Sequence, residues 1–172
     1  ALQKLTMENG LRRALDGRVL ELHYQPKVSL VSGEITGLEA LLRWRSSGGM
    51  VFPGEFIPLL EETGLIVPVG EWVLRQACAQ MKAWQGGGIA PVSVAVNLSA
   101  RQLHHRDLAD TIGGIIKASG INPHLLELEL TESSLMSNAD EAIRVLSKLK
   151  AMGVRLSVDD FGTGYSSLSY LK

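Results

Sequence analysis

Polar and apolar positions alternate with a period of two along several short runs of this chain, and between the later runs the spacing lengthens to that of an amphipathic helix. The first run, Leu20 to Val28, sets Leu22, Tyr24 and Val28 against His23, Gln25 and Lys27. Val31-Ser32-Gly33-Glu34 makes a turn and Ile35 to Trp44 forms a second strand, so the pair reads as a β-hairpin. Ahead of it, Met7, Leu11, Ala14 and Leu15 punctuate a helix over Thr6 to Asp16, with Thr6 as N-cap and Gly17 as stop. Pro53 opens a short helix over 54–62, and a longer one over 69–85 is stopped by Gly86-Gly87-Gly88. From there strand and helix take turns. Strand 92–98 is followed by mostly helix over 102–119, closed by Gly120. Strand 125–131 is followed by a helix over 138–152 with Ala142, Val145, Leu146 and Leu149 on one side, then strand 154–158 and a helix beginning at Ser166. An initial hairpin followed by this rhythm predicts an α/β domain with a largely parallel sheet and no domain boundary inside the chain.

The two faces of each strand differ in kind. Leu38, Ala40, Leu42 and Trp44 oppose Glu39, Leu41 and Arg43; Val94, Val96 and Leu98 oppose Ala95 and Asn97; Leu126, Leu128 and Leu130 oppose Glu127, Glu129 and Thr131. In the last strand Leu156 and Val158 oppose Ser157 and Asp159. One side is apolar and faces helices, and the other bears an acid or amide near its carboxyl end. A parallel barrel collects such side chains where active sites of that architecture lie, so Glu39, Asn97, Glu129 and Asp159 are expected to converge. Three carboxylates and an amide repel unless a cation offsets them, and all-oxygen ligation favours Mg²⁺ or Mn²⁺ over zinc. Taken singly the residues have plainer readings: Asn97 as a helix cap, Glu129 as one more exposed glutamate beside Glu127, Asp160 as the cap of the next helix. Arg43 lies on the Glu39 face, roughly 13 Å farther along an extended strand, a position suited to a substrate phosphate beside a metal. His104 and His105 are adjacent and form no metal pair; with His23 and His124 they read as structural, and Trp72 and Trp84 as core.

Composition narrows the class. A chain of 172 residues with 45% hydrophobic content suits one soluble domain with a sizeable core. A net charge of −1 without blocks of like charge gives no electrostatic case for nucleic acid or a membrane surface. The single cysteine, Cys78, forms no intramolecular disulfide and reads as a small buried side chain in a reducing compartment. No apolar run is long enough to span a bilayer and the N-terminus does not resemble a signal peptide, so a cytoplasmic location is expected.

Motifs then follow one another in order: Tyr24-Gln25-Pro26, Glu39-Ala40-Leu41, Leu42-Arg43-Trp44, Phe56-Ile57-Pro58, Asn97-Leu98-Ser99, Glu129-Leu130-Thr131-Glu132-Ser133 and Asp159-Asp160-Phe161-Gly162-Thr163-Gly164. The ordered set, across residues 18–172, resembles the EAL family of cyclic di-GMP phosphodiesterases. That resemblance implies a modified (β/α)₈ TIM-type barrel with an antiparallel first strand, of which about five strands are present here. It implies a first metal held by Glu39, Asn97, Glu129 and Asp159, a second with Asp160 among its ligands, and Gln25 and Arg43 as contacts to the dinucleotide. The metals implied are Mg²⁺ or Mn²⁺, with Ca²⁺ inhibitory, and the reaction is hydrolysis of one phosphodiester of cyclic di-GMP to linear pGpG. Glu132 resembles the glutamate that anchors the loop Phe161-Gly162-Thr163-Gly164, a loop linked in the family to homodimer formation.

A complete barrel of this kind takes about 250 residues, and the family places a catalytic lysine and further ligands beyond residue 172. The chain is therefore expected to be a piece of a longer protein: a connector helix over 1–17, resembling one that follows a GGDEF or sensor domain, and the N-terminal two-thirds of an EAL domain over 18–172. The parent protein is expected to be the enzyme, the fragment alone inactive. The alternative is a non-catalytic receptor for cyclic di-GMP or a protein-interaction module on the same fold; such members commonly lose Glu39 or the Asp-Asp pair, and both are kept here.

Overall fold

A computed structural model describes residues 2–16, 19–46 and 48–159. Helix α1 (Leu2–Asp16) precedes a hairpin of β1 (Leu20–Val28) and β2 (Ile35–Ser46), to which the short β3 (Gly49–Val51) adds. Then come α2 (Pro53–Thr63), α3 (Ile66–Gly86), β4 (Ser93–Leu98), α4 (Ala100–Leu103), α5 (Leu108–Ser119), a single 3₁₀ turn over Pro123–Leu125, β5 (Leu126–Thr131), α6 (Glu132–Met136), α7 (Ala139–Ala151) and β6 (Arg155–Asp159). The sheet runs β1-β2-β4-β5-β6, with β3 paired to β2. β1 is antiparallel to β2, and β2, β4, β5 and β6 are mutually parallel. This is an α/β sheet of the barrel type with an antiparallel first strand, an incomplete barrel as the sequence predicts.

The strands form where the period of two meets a helix layer. Val94, Val96, Leu98, Leu126, Leu128 and Leu130 are at most 3% exposed and pack against α3, α5 and α7 through Leu74, Met81, Ile112 and Leu149. Helix α1 belongs to this core, since Leu11 and Ala14 are buried in it and Gly10 lies flat on Trp44, where a Cβ would stand 2.9 Å from the indole. Trp44 meets Phe56 of α2 edge-on, with centroids 5.9 Å apart. Trp72 and Trp84 sit partly buried against the same cluster, and Cys78 is fully buried with a free thiol. Gly120 and Gly153 follow α5 and α7 in the left-handed region, at φ 65° and 92°, where a side chain would be strained.

Several boundaries depart from the sequence pattern. Helix α1 begins at Leu2, so Thr6 lies inside it and is not its N-cap. Helix α3 begins three residues earlier than 69, because Pro68 falls in its first turn, where no backbone N–H is needed. The predicted helix over 102–119 is two helices. Ser99 accepts from Gln102 N in a capping box that starts α4, and His104 and His105 close it before α5 begins at Leu108. β3 and α6 were outside the pattern altogether, being three and five residues long. The predicted helix from Ser166 and the stop at Gly17 lie outside the described residues. Among the described residues no helix is long and apolar enough to cross a membrane.

Candidate metal centre at the carboxyl ends of the strands

Glu39 is half-way along β2, with Ala40 and Leu38 turned to the helices and its own side chain turned to the opposite face. Asn97 is the penultimate residue of β4, and its Nδ2 donates to Glu39 Oε1 at 2.8 Å. A carboxylate accepts only, so the amide must present its NH₂ here, leaving Asn97 Oδ1 for another partner. Helix α4 is capped by Ser99, so Asn97 is not its cap. On β5, Glu129 is Cα-paired with Asn97 and is 9% exposed, not the surface glutamate of the plainer reading.

Register sets the heights at which these residues stand in the ladder. Glu39 is level with Ala95, and Ala95 with Glu127, so Glu129 stands two residues above the level of Glu39. Asn97 is level with Glu129, and Glu129 with Ser157, so Asp159 stands two above Asn97. Closing a barrel of this type tilts the strands and shears the register by about one residue per strand. The climb of two residues over two strands therefore keeps Glu39 and Glu129 in one layer and Asn97 and Asp159 in the next.

The charge balance involves a residue that the sequence pattern placed on the right face without assigning it a role. Lys27 of β1 reaches through the interior to β5, where its Nζ pairs with Glu129 Oε1 and lies 3.4 Å from Glu127 Oε1. Lys27 is level with Gly37 on β2, and Gly37 with Ser93 on β4, both small. A Cβ on Gly37 would stand 2.6 Å from Ser93 Oγ, so the crowding there has no room for a larger residue. Arg155 Nη2 of β6 approaches Glu127 from the other side at 3.9 Å. Burial pushes the Glu129 carboxyl above the ordinary range; Lys27 opposes that shift, and Glu39 and Glu127 reinforce it. Burial acts to lower the Lys27 ammonium, but its bonds and charge pairing with Glu129 and Glu127 prevail and raise it. Ser157 Oγ, inward on β6 and level with Glu129, is buried and has no hydrogen-bond partner.

Gln25 is opposite Glu39 in the hairpin and exposed. Arg43 donates to Leu42 O at 2.9 Å, and its guanidinium stands 5.7 Å from the centroid of Phe52, at the start of α2. A cavity of about 310 Å³ opens beside Asn97 and Glu129 and runs past Leu41 and Thr131 toward Ile57 and Ile66. Glu132 is the first residue of α6, capped by Thr131. His104 Nε2 lies 2.6 Å from Ser137 Oγ and the His124 ring packs on Gly153. Among the described residues no three side chains of His, Cys, Asp or Glu gather as a metal site: Glu39 is bonded to the amide of Asn97, and Glu129 to Lys27. Asp160 and the loop over Phe161, Gly162, Thr163 and Gly164 lie outside the described residues. The donors fit a hard divalent cation, because the carboxylates of Glu39 and Glu129 and the amide oxygen of Asn97 are all oxygen ligands.

Comparison with known proteins gives this geometry its context. The family model described as EAL domain matches residues 8–172. The bifunctional diguanylate cyclase/cyclic di-GMP phosphodiesterase MucR of Pseudomonas aeruginosa is 51% identical over 173 residues, covering 100% of this chain and 25% of its own length. The cyclic di-GMP phosphodiesterase NbdA of the same organism is 46% identical over 173 residues, covering 100% and 22%. This chain thus spans about a quarter of the length of these curated relatives. A solved structure of the PaMucR phosphodiesterase in complex with c-di-GMP superposes with a TM-score of 0.91 at 51% identity, covering 96% of this chain and 68% of that one.

Proposed function

The chain belongs to the EAL-domain family, and on that premise we propose that the protein containing it hydrolyses cyclic di-GMP to linear pGpG with divalent cations, Mg²⁺ or Mn²⁺. The observation that carries the reading is the Asn97–Glu39 hydrogen bond beside the buried Glu129 on consecutive parallel strands. Relatives named as cyclic di-GMP phosphodiesterases at 46–51% identity give it its substrate.

In this reading Glu39, Asn97, Glu129 and Asp159 would hold the first metal, and Asp160 would contribute to a second. Bound there, the cations supply Lewis-acid activation of water and neutralise charge at the phosphodiester. The chain's own residues do the positioning. Asn97 holds Glu39 through its NH₂, so the carboxylate is aimed before any cation arrives and the amide oxygen is left to bind. Gln25, beside Glu39, and Arg43, at the rim by Phe52, meet the polar groups of the dinucleotide, Arg43 as a phosphate fork. The cavity between Asn97 and Ile57 accepts a planar base. Glu132 and the loop after Asp160 belong to a homodimer contact, and a GGDEF or sensor domain precedes the domain in the whole protein.

The full-length protein, incubated with cyclic di-GMP and resolved by chromatography, is expected to yield pGpG with Mg²⁺ or Mn²⁺. Ca²⁺, which binds oxygens at longer and looser distances, is expected to suppress turnover. Glu39→Ala is expected to abolish turnover while leaving the circular dichroism spectrum unchanged. Undiminished hydrolysis in EDTA, or a near-normal kcat for Glu39→Ala, overturns the reading.

A further inference from the structure

We propose that Lys27 is the internal counter-ion of the metal centre: it holds the Glu129 carboxylate while no metal is bound and passes to Glu127 when a cation takes Glu129. The proposal rests on the reading of Glu129 as a metal ligand. Three observations carry it. Lys27 comes from the antiparallel strand, and its ammonium crosses the interior to bond a residue 102 positions away. The residues level with it on the two intervening strands are small, Gly37 on β2 and Ser93 on β4. A second acceptor is already in place, because Glu127 Oε1 lies 3.4 Å from the same Nζ and is itself steadied by Arg155 at 3.9 Å.

The physics of the exchange follows from charge. Without a cation, Glu39, Glu127 and Glu129 repel, and Lys27 offsets that repulsion at Glu129. With a divalent cation on Glu129, an ammonium bonded to the same carboxylate is repelled by it, and the repulsion is large in a partly buried site. Swinging to Glu127 moves the lysine away from the cation and keeps it paired, so neither charge is left buried and alone. Lys27 thus lowers the affinity for metal while protecting the fold without it, and Glu127 limits how far the affinity falls.

The test is Mn²⁺ binding to the metal-free full-length protein, read by titration calorimetry and by the EPR signal of free Mn²⁺. Lys27→Met is expected to bind Mn²⁺ on the order of tenfold more tightly and to melt at a lower temperature without metal. Glu127→Gln is expected to weaken binding about fivefold when Lys27 is present, because the lysine then has no second partner. In the Lys27→Met background the same change is expected to cost about twofold at most, the difference being the coupling between the two residues. Lys27→Gln replaces Lys27→Met should the latter fail to fold. Unchanged or weaker Mn²⁺ binding on removing the lysine overturns the proposal, as does an equal effect of Glu127→Gln in both backgrounds. Glu129→Gln separates the two readings. If it binds Mn²⁺ like the parent protein, the assignment of Glu129 as a ligand fails; if binding is lost there while Lys27→Met changes nothing, only the exchange fails.

Discussion

Tyr24 and Cys78 show how single buried groups report on the layer behind the sheet. Tyr24 stands edge-on to Trp84, with centroids 4.9 Å apart, and burial, with Cys78 adding to it, pushes its phenol to about 12. An unfolded tyrosine titrates at about 10, so between these values the folded state binds more protons. The stability that Tyr24 contributes is therefore full below pH about 10 and is lost as pH rises through about 12. Thermal unfolding followed across that range should show the decline, and Tyr24→Phe should reduce its steepness. The Cys78 thiol is fully buried and raised by burial to about 11. It should resist iodoacetamide at pH 8 in the native protein and be alkylated at once in denaturant, as mass spectrometry would record. At this scale the sequence shows which face Lys27 and Glu127 occupy, because alternation is local. It does not show that they meet, since that contact reaches across two intervening strands, β2 and β4.

Between elements, the join of β4 to α4 decides how Asn97 is held. Two residues after Asn97, Ser99 caps α4, and Gln102 Oε1 returns to accept from Ser99 N at 3.1 Å. Gln102 is buried against Gly70 of α3, where an added Cβ would stand 1.8 Å from its Nε2. Gly70→Ala should therefore drive Gln102 out and break the capping box, at a cost of about 1–3 kcal/mol measured by urea denaturation. Leu128→Ala, in a side chain with no exposure, should cost about 2–5 kcal/mol. The long elements were legible because each repeats its period several times. α4 was not, because four residues hold barely one turn and its start is set by a cap and a glutamine, not by periodicity. The carboxylate-bearing faces were legible for the same reason as the strands: any residue two steps from a core residue must lie on the core side, and Glu39, Asn97, Glu129 and Asp159 are all odd steps away.

For the whole molecule, the described sheet is a barrel wall whose outer edges are β1 and β6 among the described residues. Pro26 in β1 suits an edge, since it has no N–H to offer a further strand. This chain covers 68% of the solved PaMucR phosphodiesterase. Residues 1–172 expressed alone are expected to self-associate by light scattering and to leave cyclic di-GMP intact, because unpaired edges invite other chains. A monodisperse, active monomer would refute this. The climb of register around the wall has one more consequence, which concerns how the site tolerates change along the chain. Its four positions lie on a diagonal of the hydrogen-bond lattice, and loops do not enter that lattice at all. One residue added in the stretch 86–91 leaves every pairing where it was, and turnover of the whole protein should survive it. The same residue added between Val94 and Ala95 would turn Asn97 to the helices and Leu98 to the lumen, emptying one corner of the diagonal and burying an amide in oil. Insertions along this chain should thus be graded by lattice and not by distance: harmless a few residues before the strand, lethal within it.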